Sequence, residues 1–106
     1  GLTEKQAIQE GHQIKVGKFP LVASGKAMAI GEVEGFTKIV TDEDSEEILG
    51  AHMIGPEVTE MLGELSLAML LEGTSREVGR MVHAHPTLSE TIKEAALSLD
   101  NEAIHI

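Results

Sequence analysis

The sequence predicts an α+β fold, an antiparallel β-sheet flanked by helices in a single domain, and three observations carry that prediction. Runs with strand character lie next to one another between residues 12 and 54, whereas helical periodicity dominates from 57 to 99. Strands clustered ahead of helices favour an antiparallel sheet over the alternating order of a parallel one. A chain of 106 residues is the size of one domain, and no repeat, linker or low-complexity tract divides residues 1–106.

Thr3 and Gln6 fit a capping box, and Ala7 with Ile8 gives a small apolar face before Gly11, so a short helix is predicted over 3–10. His12 to Phe19 alternates about Ile14, Val16 and Gly17 as a first strand, ended by Pro20, which lacks an amide donor. The stretch 21–35 sets Gly25, Gly31 and Gly35 among small side chains and reads as a connection with a turn of helix or a short strand. Phe36 to Thr41 and Ile48 to Ile54 then form a hairpin about an acidic loop. That loop carries alternate acids at Asp42 and Asp44. It places Glu47 where a calcium loop needs Gly, and Met53 where it needs Glu, so a solvated hairpin tip is the better reading.

Gly55 and Pro56 stop the strand, and from Glu57 to Glu72 the residues Val58, Met61, Leu62, Leu65, Ala68 and Met69 recur at helical spacing. Leu67, Leu70 and Leu71 add a second apolar face to this main helix, which one sheet cannot cover. Ser75 to Met81 reads as a shorter helix entered from Gly73 and Thr74, and Leu88 to Leu99 as the last one.

Composition narrows the function. Eight Lys and Arg against eighteen Asp and Glu leave a net charge of −10, which repels nucleic acid and anionic lipid surfaces. The absence of cysteine removes disulfides, Cys-ligated zinc, iron–sulfur clusters and thiol nucleophiles. The apolar runs are only a few residues long, far short of a membrane span, and Gly1 to Glu10 has a polar helix pattern instead of a signal sequence, so a soluble protein is expected. Phe19 and Phe36 are the only aromatic residues, too few for base-stacking platforms or aromatic ligand cages.

Chemistry concentrates in His83, Ala84, His85, Pro86, Thr87, Leu88, Ser89 and Glu90. Three readings are open. His83 and His85 share a face of an extended segment and could hold a metal ion together, with Glu90 as the nearest further ligand. Thr87 and Glu90 match a capping box, with Pro86 just outside a helix starting at Leu88, which accounts for these residues without any chemistry. Finally, one His is a general base, with Glu90 aimed back at His85 to fix its tautomer and raise its basicity.

The string HAHPTLSE at 83–90 resembles the C-terminal motif of the dihydrolipoyl dehydrogenase family of pyridine nucleotide-disulfide oxidoreductases. The likeness extends in order through GLTEKQA at 1–7, KVGKFP at 15–20, GKAMAIGEVEGFTKIV at 25–40, ILGAHMIGP at 48–56 and KEAAL at 93–97. It covers essentially the whole chain, as one C-terminal interface (dimerisation) domain. The resemblance implies that His85 takes a proton from a dihydrolipoyl dithiol and that Glu90 orients it. Only thiolate attacks a disulfide efficiently, so a placed imidazole suits this chemistry.

The resemblance further implies a cis His85–Pro86 peptide with the His85 carbonyl near a flavin of the opposite subunit, making His85 and Pro86 cofactor-contacting residues; no metal is expected, because a third ligand at suitable spacing is missing. It implies a homodimer, which the doubly apolar helix fits, so Leu67, Leu70 or Leu71 is expected in the subunit contact; His83, to which the resemblance gives no clear role, is expected in a supporting contact nearby. FAD and NAD are expected as cofactors of the full-length enzyme only, because this chain lacks a Gly-rich dinucleotide fingerprint and a redox Cys pair. The chain by itself is therefore expected to be an inactive fragment binding neither, its sheet lacking an edge element before Gly1. The expected partners are the dihydrolipoyl group of an acyltransferase and its basic peripheral subunit-binding domain, in the cytoplasm or, in a eukaryote, the mitochondrial matrix. A non-catalytic dimerisation scaffold, or the same domain of a related FAD-dependent disulfide reductase, is the alternative.

Overall fold

The computed structural model describes residues 1–101, 103 and 104. Helix α1 (Glu4–Gln9) opens on the Thr3–Gln6 capping box, whose reciprocal bonds of 3.0 and 3.1 Å satisfy two amides at the helix start. Strand β1 (Ile14–Pro20) follows, then a 3₁₀ turn over Leu21–Ala23 and helix α2 (Gly25–Ile30), capped by the Ser24 side chain and ended at Gly31 in the left-handed conformation. Strands β2 (Phe36–Asp42) and β3 (Ile48–Ile54) lead into α3 (Val58–Leu70), α4 (Ser75–Arg80) and α5 (Glu90–Ser98). The three strands pair antiparallel in the order β1-β2-β3. The α+β class is thus the observed one.

Side-chain alternation on β2 gives the sheet two covered faces. Ile39 sinks into the main core with Phe19, Leu65, Ile92 and Ala95, so α5 lies across β1 and β2. Val40 points the other way and meets Ala7 of α1 and Leu49. Lys38, on that second face, reaches Glu4 at 2.8 Å. Helix α5 comes so near β1 that a Cβ on Gly17 would stand 2.1 Å from the Ala95 carbonyl oxygen, which is why this strand carries a glycine. The Lys18 amide, on the outer edge of β1, donates to Ser98 Oγ of the same helix at 3.1 Å.

Val40 pairs with Gly50 but Thr41 with Ile48, so Leu49 is bulged out of register. The bulge carbonyl accepts the Leu2 amide at 2.9 Å, and the Leu2 carbonyl in turn accepts from His52 Nε2 at 3.0 Å, pinning the first residues to the edge of β3.

The element bounds depart from the sequence reading by two residues at one end in three elements, and by a single residue in α1, β2 and α4. β1 starts at Ile14 because the His12 amide closes the turn after α1 on the Ala7 carbonyl, and it includes Pro20, paired with Phe36. α3 runs from 58 to 70, its entry set by Glu57 at φ 60°. α5 begins at Glu90 instead of Leu88, since residues 88 and 89 form a tighter turn in which Thr91 and Ile92 bond three residues back. At the hairpin tip, Asp42 Oδ1 accepts the Asp44 and Ser45 amides, both at 3.0 Å, which occupies that carboxylate within the turn. No helix among the described residues is long and apolar enough to cross a membrane.

Candidate active site

The segment between α4 and α5 doubles back over residues 81–89, and its fold is decided by how few polar groups share many bonds. Thr87 is half of the capping box its spacing suggested. Its amide donates to Glu90 Oε1 at 3.0 Å, but its hydroxyl donates to the Ala84 carbonyl at 2.7 Å, which tightens the loop and leaves the α5 start to a turn. The His85–Pro86 peptide within it is cis. Behind the loop, Thr91 donates to the Leu88 carbonyl at 2.7 Å, and Thr37 of β2 meets Thr91 at 2.8 Å between buried hydroxyls. The first turn of α5 is therefore tied to the centre of the sheet.

Glu90 stands on that turn, where the positive end of a helix favours a carboxylate. Both of its oxygens lie 2.9 Å from His85 Nδ1. An ionised carboxylate can only accept, so Nδ1 carries the hydrogen and Nε2 presents its lone pair. The imidazole is 72% exposed, and Nε2 has no partner among the described residues. One carboxylate thus both accepts the Thr87 amide and holds the His85 ring.

His83 is turned away from this pair. Its Nε2 meets Glu64 of α3 at 2.7 Å and its Nδ1 meets the Met81 carbonyl at 3.1 Å, with the side chain 2% exposed. The two imidazoles therefore answer to different acids, which corrects the reading in which they share one face for a metal. Among the described residues no three His, Asp or Glu side chains converge as a metal site. Sequence reasoning passed over Glu64; the available signal was an acid set between the core positions Met61 and Leu65.

A cavity of about 140 Å³ opens beside the pair, lined by Phe19, Ser24, Met28, His85, Glu90 and Glu94. It is smaller than the roughly 300–1,000 Å³ of small-molecule sites, so a dinucleotide cannot lodge in it. Leu67, Leu70 and Leu71 are 56%, 79% and 70% exposed, so the second apolar face of α3 is uncovered within the chain. Leu67 and Leu71 line a hollow with Ala68, Val78 and Met81.

Residues 1–96 match the dimerisation domain of the pyridine nucleotide-disulphide oxidoreductases. The chain is 57% identical over 105 residues to a dihydrolipoyl dehydrogenase of Bacillus subtilis, covering 99% of this chain and 22% of that protein. It is 41% identical over 106 residues to a mitochondrial dihydrolipoyl dehydrogenase of Pisum sativum, covering 100% of this chain and 21% of that one. Among solved structures, the HOCl-induced flavoprotein disulfide reductase RclA from Escherichia coli superposes with a TM-score of 0.83 at 26% identity, over 87% of this chain and 21% of its own. The chain spans about a fifth of the length of these relatives. It belongs to the dimerisation-domain family of the pyridine nucleotide-disulphide oxidoreductases.

Proposed function

We propose that this chain is the dimerisation domain of a dihydrolipoyl dehydrogenase and that His85 and Glu90 are its acid/base pair. The observation that carries the reading is the exposed His85 ring, fixed through Nδ1 by both oxygens of Glu90 and open at Nε2. Nε2 takes the proton from one thiol of a dihydrolipoyl group, and the imidazolium so formed is stabilised by the carboxylate behind it. The thiolate left behind is the species that attacks a disulfide, which must come from outside this chain because the chain has no cysteine.

We assign no flavin or nicotinamide nucleotide holding site to this chain, whose cavity beside the pair is about 140 Å³ and whose sequence carries no glycine-rich fingerprint. The chemistry that FAD and NAD supply, acceptance of the dithiol's electron pair, belongs to the remainder of the full-length enzyme. This chain's contribution is an edge contact from the exposed residues His85 and Pro86. The uncovered leucines of α3 are assigned to a second copy of the subunit. The net charge of −10 suits docking to a basic subunit-binding domain of an acyltransferase, in the cytoplasm or the mitochondrial matrix.

Substituting His85→Gln in the full-length enzyme tests the reading by steady-state oxidation of dihydrolipoamide. General-base loss lowers kcat by roughly 100-fold or more, with an unchanged melting temperature. A variant with full activity would show that the loop is a capped helix start in a scaffold.

A further inference from the structure

His83 has no part in that chemistry, yet between Arg80 and Thr87 it is the one residue that is not exposed. Met81, Val82, Ala84, His85 and Pro86 all face solvent, so His83 is the one side chain of 81–86 that sinks toward α3, while Glu90 and Thr87 hold the loop from the α5 side. Its two hydrogen-bond partners define its hydrogens. The Met81 carbonyl oxygen can only accept, so Nδ1 donates. The 2.7 Å contact of Nε2 with Glu64 then has two forms: a second N–H donating to a carboxylate, or a carboxylic acid donating to the ring nitrogen. Each ring nitrogen faces an oxygen acceptor, the Met81 carbonyl on one side and the Glu64 carboxylate on the other, an arrangement that a ring with a hydrogen on both nitrogens satisfies.

We propose that His83 and Glu64 form a fixed imidazolium–carboxylate pair that positions the 81–86 loop on α3 and so aims His85. The proposal rests on the assignment of His85 as the base. It makes neighbouring imidazoles of one motif opposites: His85 keeps an open nitrogen for proton exchange, while His83 has both nitrogens occupied and cannot act as a base. The tether ends beside the uncovered apolar surface, because Glu64 lines the same hollow as Leu67, Leu71 and Met81. Both the surface assigned to the partner subunit and the aim of the base thus depend on α3.

The test is nuclear magnetic resonance of the full-length enzyme labelled with ¹⁵N-histidine at neutral pH. His83 is expected to show a proton on each ring nitrogen, and a bare nitrogen on His83 would overturn the proposal. Because this measurement uses the native sequence, it decides the matter even if a variant fails to fold. In kinetics, Glu64→Gln keeps an acceptor but removes the counter-charge. It is expected to lower kcat about 10-fold while KM for the dithiol changes less than about twofold, as for a displaced catalytic group.

Adding His83→Gln restores a neutral hydrogen-bonded pair and is expected to recover most of the lost rate. A double variant slower than Glu64→Gln alone would count against the pair. If the His83 protons are found but His85→Gln remains fully active, the assignment of the base fails while the charged pair stands.

Discussion

Thr37 and Thr91 bury two hydroxyls that have each other. Thr91 gives its hydrogen to the Leu88 carbonyl, so Thr37 must give its own to Thr91, and both residues are essentially inaccessible at 1% and 0%. Thr91→Val strands the Thr37 hydroxyl in the core and is expected to cost about 1–3 kcal/mol. Adding Thr37→Val removes the stranded group, so the double variant should be more stable than the sum of the single losses by about 1 kcal/mol. Urea unfolding of the four proteins measures this, and strict additivity would contradict the bond. A second residue sets an acid limit. The Asp42 carboxyl is held at about 2 by the Ser45 amide, the His12 ring and the Asp44 amide. A lowered folded value means that stability is complete above the ordinary carboxylate range and is lost as the pH falls from about 4 through 2. Glu46 beside Arg76 and Glu77 beside Thr74 are lowered too and add in the same direction. Asp42→Asn keeps the acceptor of the turn without its titration, so acid titration monitored by circular dichroism should show a weaker dependence on pH in that window. An unchanged acid limb would exclude Asp42 as its source.

At the scale of elements, the contact of α5 with β1 organises the molecule, and Gly17 is its hinge point. A methyl group there would meet the Ala95 carbonyl oxygen, the Leu99 side chain and Ser98 Oγ at 2.1, 2.8 and 3.0 Å. Since the nearest of these atoms belongs to the backbone, the helix itself must move. Gly17→Ala is expected to destabilise by about 1–3 kcal/mol, the usual cost of overpacking, and, in the full-length enzyme under the proposed function, to lower dithiol oxidation through displacement of Glu90 at the other end of α5. Wild-type melting temperature and kcat together would show that the helix is not seated as described. The strands were legible because β-rich runs are bounded by turn residues, and α3 because its apolar residues repeat over more than three turns. α2 was legible only as a turn of helix or a short strand, since six residues give periodicity too little length and no capping box like that of α1 marks its start, and the start of α5 was misplaced because the Thr87 hydroxyl bonds Ala84 instead of capping. The same distinction holds in the site. His85 and Glu90 are five residues apart and could be paired by spacing, whereas His83 meets Glu64 nineteen residues away and Thr37 meets Thr91 across fifty-four.

The molecule as a whole leaves an apolar surface that its own fold does not close. Leu67, Leu70, Leu71, Met81 and Val82 are 56%, 79%, 70%, 44% and 89% exposed, and three of them border or line a common hollow of about 310 Å³. Water contact on so many large side chains in one region is costly, and a two-fold axis is the economical way to cover it, because the same patch then serves both copies. A net charge of −10 works against this, since each copy repels the other except where the charges lie away from the patch. Leu70 and Leu71 carry no charge and lie at the end of α3, so association there relies on apolar burial and should resist salt. Replacing Leu67 and Leu71 with Glu, in the full-length enzyme, places two further negative charges on each side of the axis. Sedimentation velocity is expected to shift the protein from dimer to monomer, with helix content retained and dithiol oxidation lost in step with the dimer. The coupled loss is what the resemblance leads one to expect, since it sets His85 against the site of the opposite subunit. A double variant that sediments as a dimer would move the interface elsewhere, and a monomer with full turnover would place the partner of His85 within the same subunit.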